Sequence, residues 1–97
     1  MKPDSFFNRQ SLFLINAVHI YLYSTLGCHL CEQAKAVIEH VLADKSFKLS
    51  EIDIAEKDQL LEQYGLVIPV VQFGDDEKRQ LGWPFDEQQF SDWLRTF

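Results

Sequence analysis

The chain reads as short blocks of two alternating periodicities. Val18, Ile20 and Leu22 alternate with His19, Tyr21 and Tyr23, and a period of two in β-branched and aromatic residues predicts a strand. Ser24-Thr25-Leu26-Gly27 interrupts it. From about Cys28 to Ala43 the apolar positions Leu30, Ala34, Val37, Ile38, Val41 and Leu42 recur at helical spacing, with Glu32, Lys35 and Glu39 on the opposite face. Asp44-Lys45 ends this helix. Phe47 to Ile54 alternates again and predicts a second strand. A helix joining two strands over so short a crossover makes a βαβ unit with parallel strands and a right-handed connection.

A shorter helix, about Glu56 to Gln63, is expected to turn Leu60 and Leu61 inward. Gly65 fits its stop, in the left-handed conformation that glycine adopts easily. Val67 to Phe73 is an apolar run containing Pro69, Gly74-Asp75-Asp76-Glu77 reads as a turn, and Lys78 to Leu81 as the partner strand of a hairpin. Asp86 caps a last helix, with Gln89 three residues on completing a capping box. Phe85 and Phe90 then form a hydrophobic staple. Phe90, Trp93, Leu94 and Phe97 make the buried stripe of that helix. The order βαβ-α-ββ-α describes an α/β domain, a four-stranded mixed sheet with three helices. With 97 residues and no repeat or linker, one domain is expected over residues 17–97, and residues 1–16 read as a partly flexible extension.

Composition narrows the chemistry. Hydrophobic residues make up 46% and charged residues 25% of the chain, the balance of a globular protein. The net charge is −6 and Lys78-Arg79 is the longest basic run, so nucleic acid and anionic membrane are not the expected partners. Asn16 and His19 break the apolar stretch Leu12–Tyr23, which therefore reads as neither a signal peptide nor a membrane span. A cytoplasmic, monomeric protein is expected.

The chain has two cysteines, Cys28 and Cys31. A staple across four residues removes little entropy from the unfolded chain, so a redox or metal role is the better reading. Thiol exchange needs a thiolate, and unpaired N–H groups at a helix start stabilise one. Cys28 stands at the predicted helix start, as the attacking sulfur; Cys31, one turn on, is the resolving one. His29 between them lowers the thiol pKa when protonated, or is simply an exposed loop residue. His19 and His40 are expected to be structural or exposed. The alternative is a carrier in which two chains share four thiolates around zinc or an iron–sulfur cluster. One chain alone offers no further C-x-x-C or C-x-x-H, and no metal site is assigned.

Gly27-Cys28-His29-Leu30-Cys31-Glu32, then Ile68-Pro69-Val70, then Leu81-Gly82-Trp83-Pro84-Phe85-Asp86 resemble, in this order, the small glutaredoxin-like family of the thioredoxin superfamily. The resemblance spans about residues 17–97. It implies a thioredoxin-like (glutaredoxin-type) fold, a cis Pro69 beside the reactive sulfur, and an Ile68 backbone that pairs with an incoming peptide or glutathione. It also implies thiol–disulfide oxidoreductase activity on protein or glutathione mixed disulfides, with glutathione or a reductase as electron source and no cofactor of its own. Trp83 either shields the cysteines or packs against the last helix. Cys-His-Leu-Cys lacks the Pro-Tyr of typical glutaredoxins, and Gly82-Trp83-Pro84-Phe85-Asp86 stands where they carry Gly-Gly followed by Asp.

Overall fold

The computed structural model describes residues 18–97; the expected extension over residues 1–16 lies outside them. The elements in chain order are β1 (His19–Ser24), α1 (His29–Leu42), β2 (Lys48–Asp53), a 3-10 turn (Ile54–Glu56), α2 (Asp58–Tyr64), β3 (Val70–Phe73), β4 (Gln80–Gly82) and α3 (Glu87–Leu94). The sheet order is β2-β1-β3-β4. β1 pairs parallel with β2, and antiparallel pairs join β1 to β3 and β3 to β4. This is the expected mixed sheet with three helices.

Alternation along the strands divides the sheet into two unlike faces. Ile20, Leu22 and Val71 point to one face, each fully buried, and meet Ala34, Ile38, Val41 and Leu42 of α1 and Phe90 and Leu94 of α3. This face holds the main core. Taking each of its larger side chains out of water contributes roughly 1.5–3 kcal/mol. From Ala34 to Leu42 α1 turns its apolar stripe inward with no glycine or proline to break it. Leu30, in the first turn and beyond the sheet it would pack on, is 47% exposed instead of joining the stripe. The helix ends where Lys45 Nζ donates to the Val41 carbonyl at 3.1 Å and Lys45 N to the Leu42 carbonyl at 2.9 Å.

The opposite face carries a smaller cluster, Tyr23, Ile54, Tyr64 and Val70. Tyr23 and Tyr64 stack with centroids 4.2 Å apart. Their polar ends are satisfied within the protein. Tyr23 Oη donates to Gln72 Oε1 at 3.0 Å, and Gln80 Nε2 reaches the same oxygen at 2.9 Å and Tyr64 Oη at 2.8 Å. Buried hydroxyls and amides are tolerated only on such terms. Burial, followed by the neighbouring Tyr64, pushes the Tyr23 phenol up to about 12.

α3 starts as its sequence implies. Asp86 Oδ1 accepts from Gln89 N at 2.8 Å and Gln89 Oε1 accepts from Asp86 N at 2.9 Å, while Phe85 stacks on Phe90 at 5.8 Å. Three local expectations need correction. Leu61 is 45% exposed, and Tyr64 takes the inward position because it can stack on Tyr23. Gly65 is right-handed (φ −55°, ψ −30°), continuing the helical turn with its N–H on the Leu61 carbonyl at 2.9 Å. Phe97, assigned to the buried stripe, is 43% exposed, and the Arg79 guanidinium lies over its ring.

Candidate functional site: a cysteine pair at one end of the sheet

Register brings the separated motifs to one end of the sheet. Ser24, the last residue of β1, pairs with Asp53, the last of β2. Tyr23 lies opposite Val70, the first residue of β3, and Val70 lies opposite Gly82, the last of β4. The segments Thr25–Cys28, Leu66–Pro69 and Trp83–Pro84 therefore all leave the sheet at this end.

Gly27 turns the chain from β1 into α1 at φ +76°, a conformation that any side chain would strain. Cys28 follows as the N-cap of α1 (φ −92°, ψ 104°), and its Sγ accepts the Cys31 N–H at 3.1 Å. A side chain accepting from the third residue on is the usual capping arrangement, here made by sulfur in place of oxygen. The Cys28 carbonyl already accepts the first helical bond, from Glu32 N at 3.1 Å. Cys28 and Cys31 are joined as a disulfide with Cα atoms 5.2 Å apart. Cys28 is half-buried and Cys31 only 3% exposed, so an outside reactant reaches Cys28 first.

Residues that the pattern did not single out hold this loop. Thr25 Oγ1 donates to Asp53 Oδ1 at 3.2 Å, and the same oxygen accepts from Ala55 N at 2.9 Å. Ser24 Oγ donates to Glu51 at 3.4 Å, and Glu51 pairs with Lys35 of α1 at 3.0 Å, which holds the ammonium above its ordinary pKa. The one sequence signal was the position of Asp53, an N-capping residue type directly before a turn.

The Ile68–Pro69 peptide bond is cis, and so is Trp83–Pro84, which the sequence reading had not anticipated. Pro69 is fully buried. Its carbonyl accepts from Trp83 N at 3.2 Å, which extends the β3–β4 pairing by one step and ties Trp83 to the proline loop. The Trp83 ring is half-buried and meets Phe85 edge-on at 5.1 Å, so packing is part of its role. Ile68 N already donates to the Tyr64 carbonyl at 3.1 Å, so the N–H half of the expected backbone pairing is engaged within the chain. His29 is exposed. His19 bonds Ser50 at 2.6 Å and His40 pairs with Glu87 at 2.7 Å, which gives both a structural setting.

Surface cavities of about 360 and 500 Å³ are lined by residues such as Lys35, Phe47 and Leu49, and His40, Lys45 and Glu87. Neither includes the cysteines. Among the described residues no three His, Cys, Asp or Glu side chains gather as a metal site, and no helix is long and apolar enough to cross a membrane.

A mixed four-stranded sheet with a capped C-x-x-C at the start of its first helix and a cis-proline loop at the same end defines a thioredoxin-fold protein with a disulfide-forming cysteine pair. The glutaredoxin-like domain (DUF836) matches residues 19–95, and the chain belongs to this glutaredoxin-like family. A structural-genomics target protein from X. campestris is similar at 32% identity, with a TM-score of 0.68 over 80% of this chain and 97% of that one. The reduced form of desulfothioredoxin from Desulfovibrio vulgaris Hildenborough shares the fold at 15% identity (TM-score 0.67, 90% and 88% covered). The oxidised mitochondrial thioredoxin 3 of Saccharomyces cerevisiae does so at 12% (TM-score 0.57, 93% and 88% covered). Comparison with curated proteins finds no match. Family, fold and the Cys28–Cys31 bond together support a thiol–disulfide redox role.

Proposed function

We propose that the chain is a thiol–disulfide oxidoreductase that reduces protein or glutathione mixed disulfides through Cys28 and Cys31. The observation that carries this reading is the capped sulfur: Cys28 Sγ accepts the Cys31 N–H at the start of α1, beside a buried partner cysteine. Hydrogen bonding to the anion and the positive end of the helix both favour thiolate over thiol.

In the reduced chain the Cys28 thiolate attacks a substrate disulfide, forms a mixed disulfide and releases one substrate thiolate. Cys31 then gives up its proton and attacks Cys28 Sγ, which releases the second thiolate and leaves the Cys28–Cys31 bond. Two electrons pass to the substrate, and the two released thiolates take up protons. Glutathione or a dithiol reductase returns the pair to the reduced form. Exposed His29, half-buried Trp83 and the Ile68–Pro69 loop flank the incoming sulfur and shape substrate binding. A monomer acting in the cytoplasm, with no metal or organic cofactor, fits this cycle.

The test is disulfide reduction by the full chain and its Cys28→Ser and Cys31→Ser variants. Cys28→Ser is expected to lose all activity, and Cys31→Ser to stall as a mixed disulfide visible by mass spectrometry. Undiminished activity in Cys28→Ser, or stoichiometric zinc or iron on the freshly purified cysteines, overturns the proposal.

A further inference from the structure

Six large apolar side chains stay exposed among the described residues, and four of them sit around the dithiol end of the sheet. Leu26, 91% exposed, lies two residues before Cys28, and Leu30, 47% exposed, two residues after it. Leu66 and Val67, 101% and 54% exposed, lead directly into Ile68–Pro69. β1 and β3 are adjacent, with Tyr23 opposite Val70, so the loops that carry Leu26 and Val67 leave the same end of two strands that run about 5 Å apart. A lone exposed leucine needs no explanation, but a group on both sides of a reactive sulfur marks a contact surface.

Charge points the same way. The segments that follow the strand ends here carry Glu32, Asp53, Glu56, Asp58 and Asp86 against one ammonium, Lys57. Glutathione bears two carboxylates and one ammonium, and among the described residues this end offers no cation cluster to receive a net anion. An extended polypeptide with apolar, neutral or basic residues beside its cystine suits both features. It also meets a backbone at Ile68 whose N–H is engaged with Tyr64, which halves the backbone pairing on offer there and leaves more of the affinity to side chains.

Resting on the oxidoreductase reading above, we infer that Leu26, Leu30, Leu66 and Val67 form a docking surface that selects polypeptide disulfides with apolar, uncharged or basic flanks over glutathione disulfide. The exchange step is unchanged: the partner's disulfide gains two electrons and two protons, and the chain becomes the Cys28–Cys31 disulfide.

The experiment compares second-order rate constants of the reduced full chain with two probes. One is a peptide disulfide flanked by leucine, phenylalanine and lysine; the other is glutathione disulfide. The peptide is expected to react at least about 30-fold faster, and Leu66→Ser or Leu26→Ser to shrink that ratio by about tenfold, the factor carried by one leucine leaving water. Both side chains stand in solvent, so folding is not at stake. A ratio near one, or a ratio that neither substitution alters, overturns the surface while leaving the oxidoreductase reading in place. Electron transfer to neither probe overturns that reading and the surface with it.

Discussion

Gly65 offers a sharp test, because two accounts of the same glycine predict different mutant behaviour. Its place after a short helix suggests a left-handed stop, yet the backbone there is right-handed. What excludes a side chain is proximity: a Cβ at Gly65 would lie 2.5 Å from the Leu61 carbonyl oxygen, about half an ångström inside the closest approach such atoms make. That oxygen also accepts the Gly65 N–H at 2.9 Å. No rotamer change relieves the overlap, and the turn must open. In Gly65→Ala the stiffer unfolded chain stabilises by about 0.4–1 kcal/mol. Overpacking costs about 1–3 kcal/mol, and weakening the hydrogen bond adds about 1 kcal/mol. Destabilisation wins, by about 1–3.5 kcal/mol, which lowers Tm by about 5–25 °C in a domain of this size.

The assay is urea unfolding followed by the fluorescence of Trp83 and Trp93, with Gly65→Asn measured beside Gly65→Ala. A left-handed site tolerates asparagine better than alanine. A site closed by steric contact does not distinguish them, since both carry the same Cβ. Equal losses are therefore expected. An alanine variant as stable as the parent, or an asparagine variant that recovers most of the loss, refutes the argument.

Three further outcomes follow from packing and charge. Phe90 is fully buried between Phe85 and Trp93; Phe90→Ala should cost about 3–5 kcal/mol, much of a typical domain's total, seen as a large fall in the urea midpoint. Tyr23 has a folded pKa raised to about 12 from an ordinary value of 10, so it favours the folded state fully below pH 10. That contribution, about 2 kcal/mol allowing for partial solvation of the hydroxyl, is lost as pH rises through 12. The stability gap between the parent and Tyr23→Phe should accordingly narrow between pH 10 and 12 in urea titrations, and a constant gap contradicts the assignment. In the reduced protein, iodoacetamide should label Cys28 at least about tenfold faster than the buried Cys31, as peptide mapping by mass spectrometry would read.

The fold was legible because its signals were periodic or capped. Val18–Tyr23 alternates cleanly, α1 carries fourteen residues of amphipathic pattern, and Asp86 with Gln89 announces α3 on its own. α2 was harder for a physical reason. Seven residues give two turns, too few for a stripe to be read, and the expected helix, about Glu56 to Gln63, stops one residue short of Tyr64. Tyr64 is buried because Gln80, sixteen residues away, satisfies its hydroxyl, and no local pattern carries that information. Gly65 went astray likewise: its constraint is a contact with a carbonyl, not a dihedral preference.

The site itself is assembled by pairing rules that act at a distance. Cys28, Pro69 and Trp83 are separated by about forty and fourteen residues, and none announces the others by spacing. What gathers them is the antiparallel register that sets Tyr23 opposite Val70 and Val70 opposite Gly82. A one-residue slip of β3 against β1 would turn Val71 off the core face and shift Pro69 away from its place beside the cysteine loop in the same stroke. The hydrophobic core that fixes the register thereby fixes the chemistry. The same logic explains why Thr25, Glu51 and Asp53 escaped the sequence reading. Their hydrogen bonds cross from β1 to β2, so their meaning exists only once the parallel pair Ser24 and Asp53 has formed. Side chains that orient a loop from a neighbouring strand are visible to topology before they are visible to pattern.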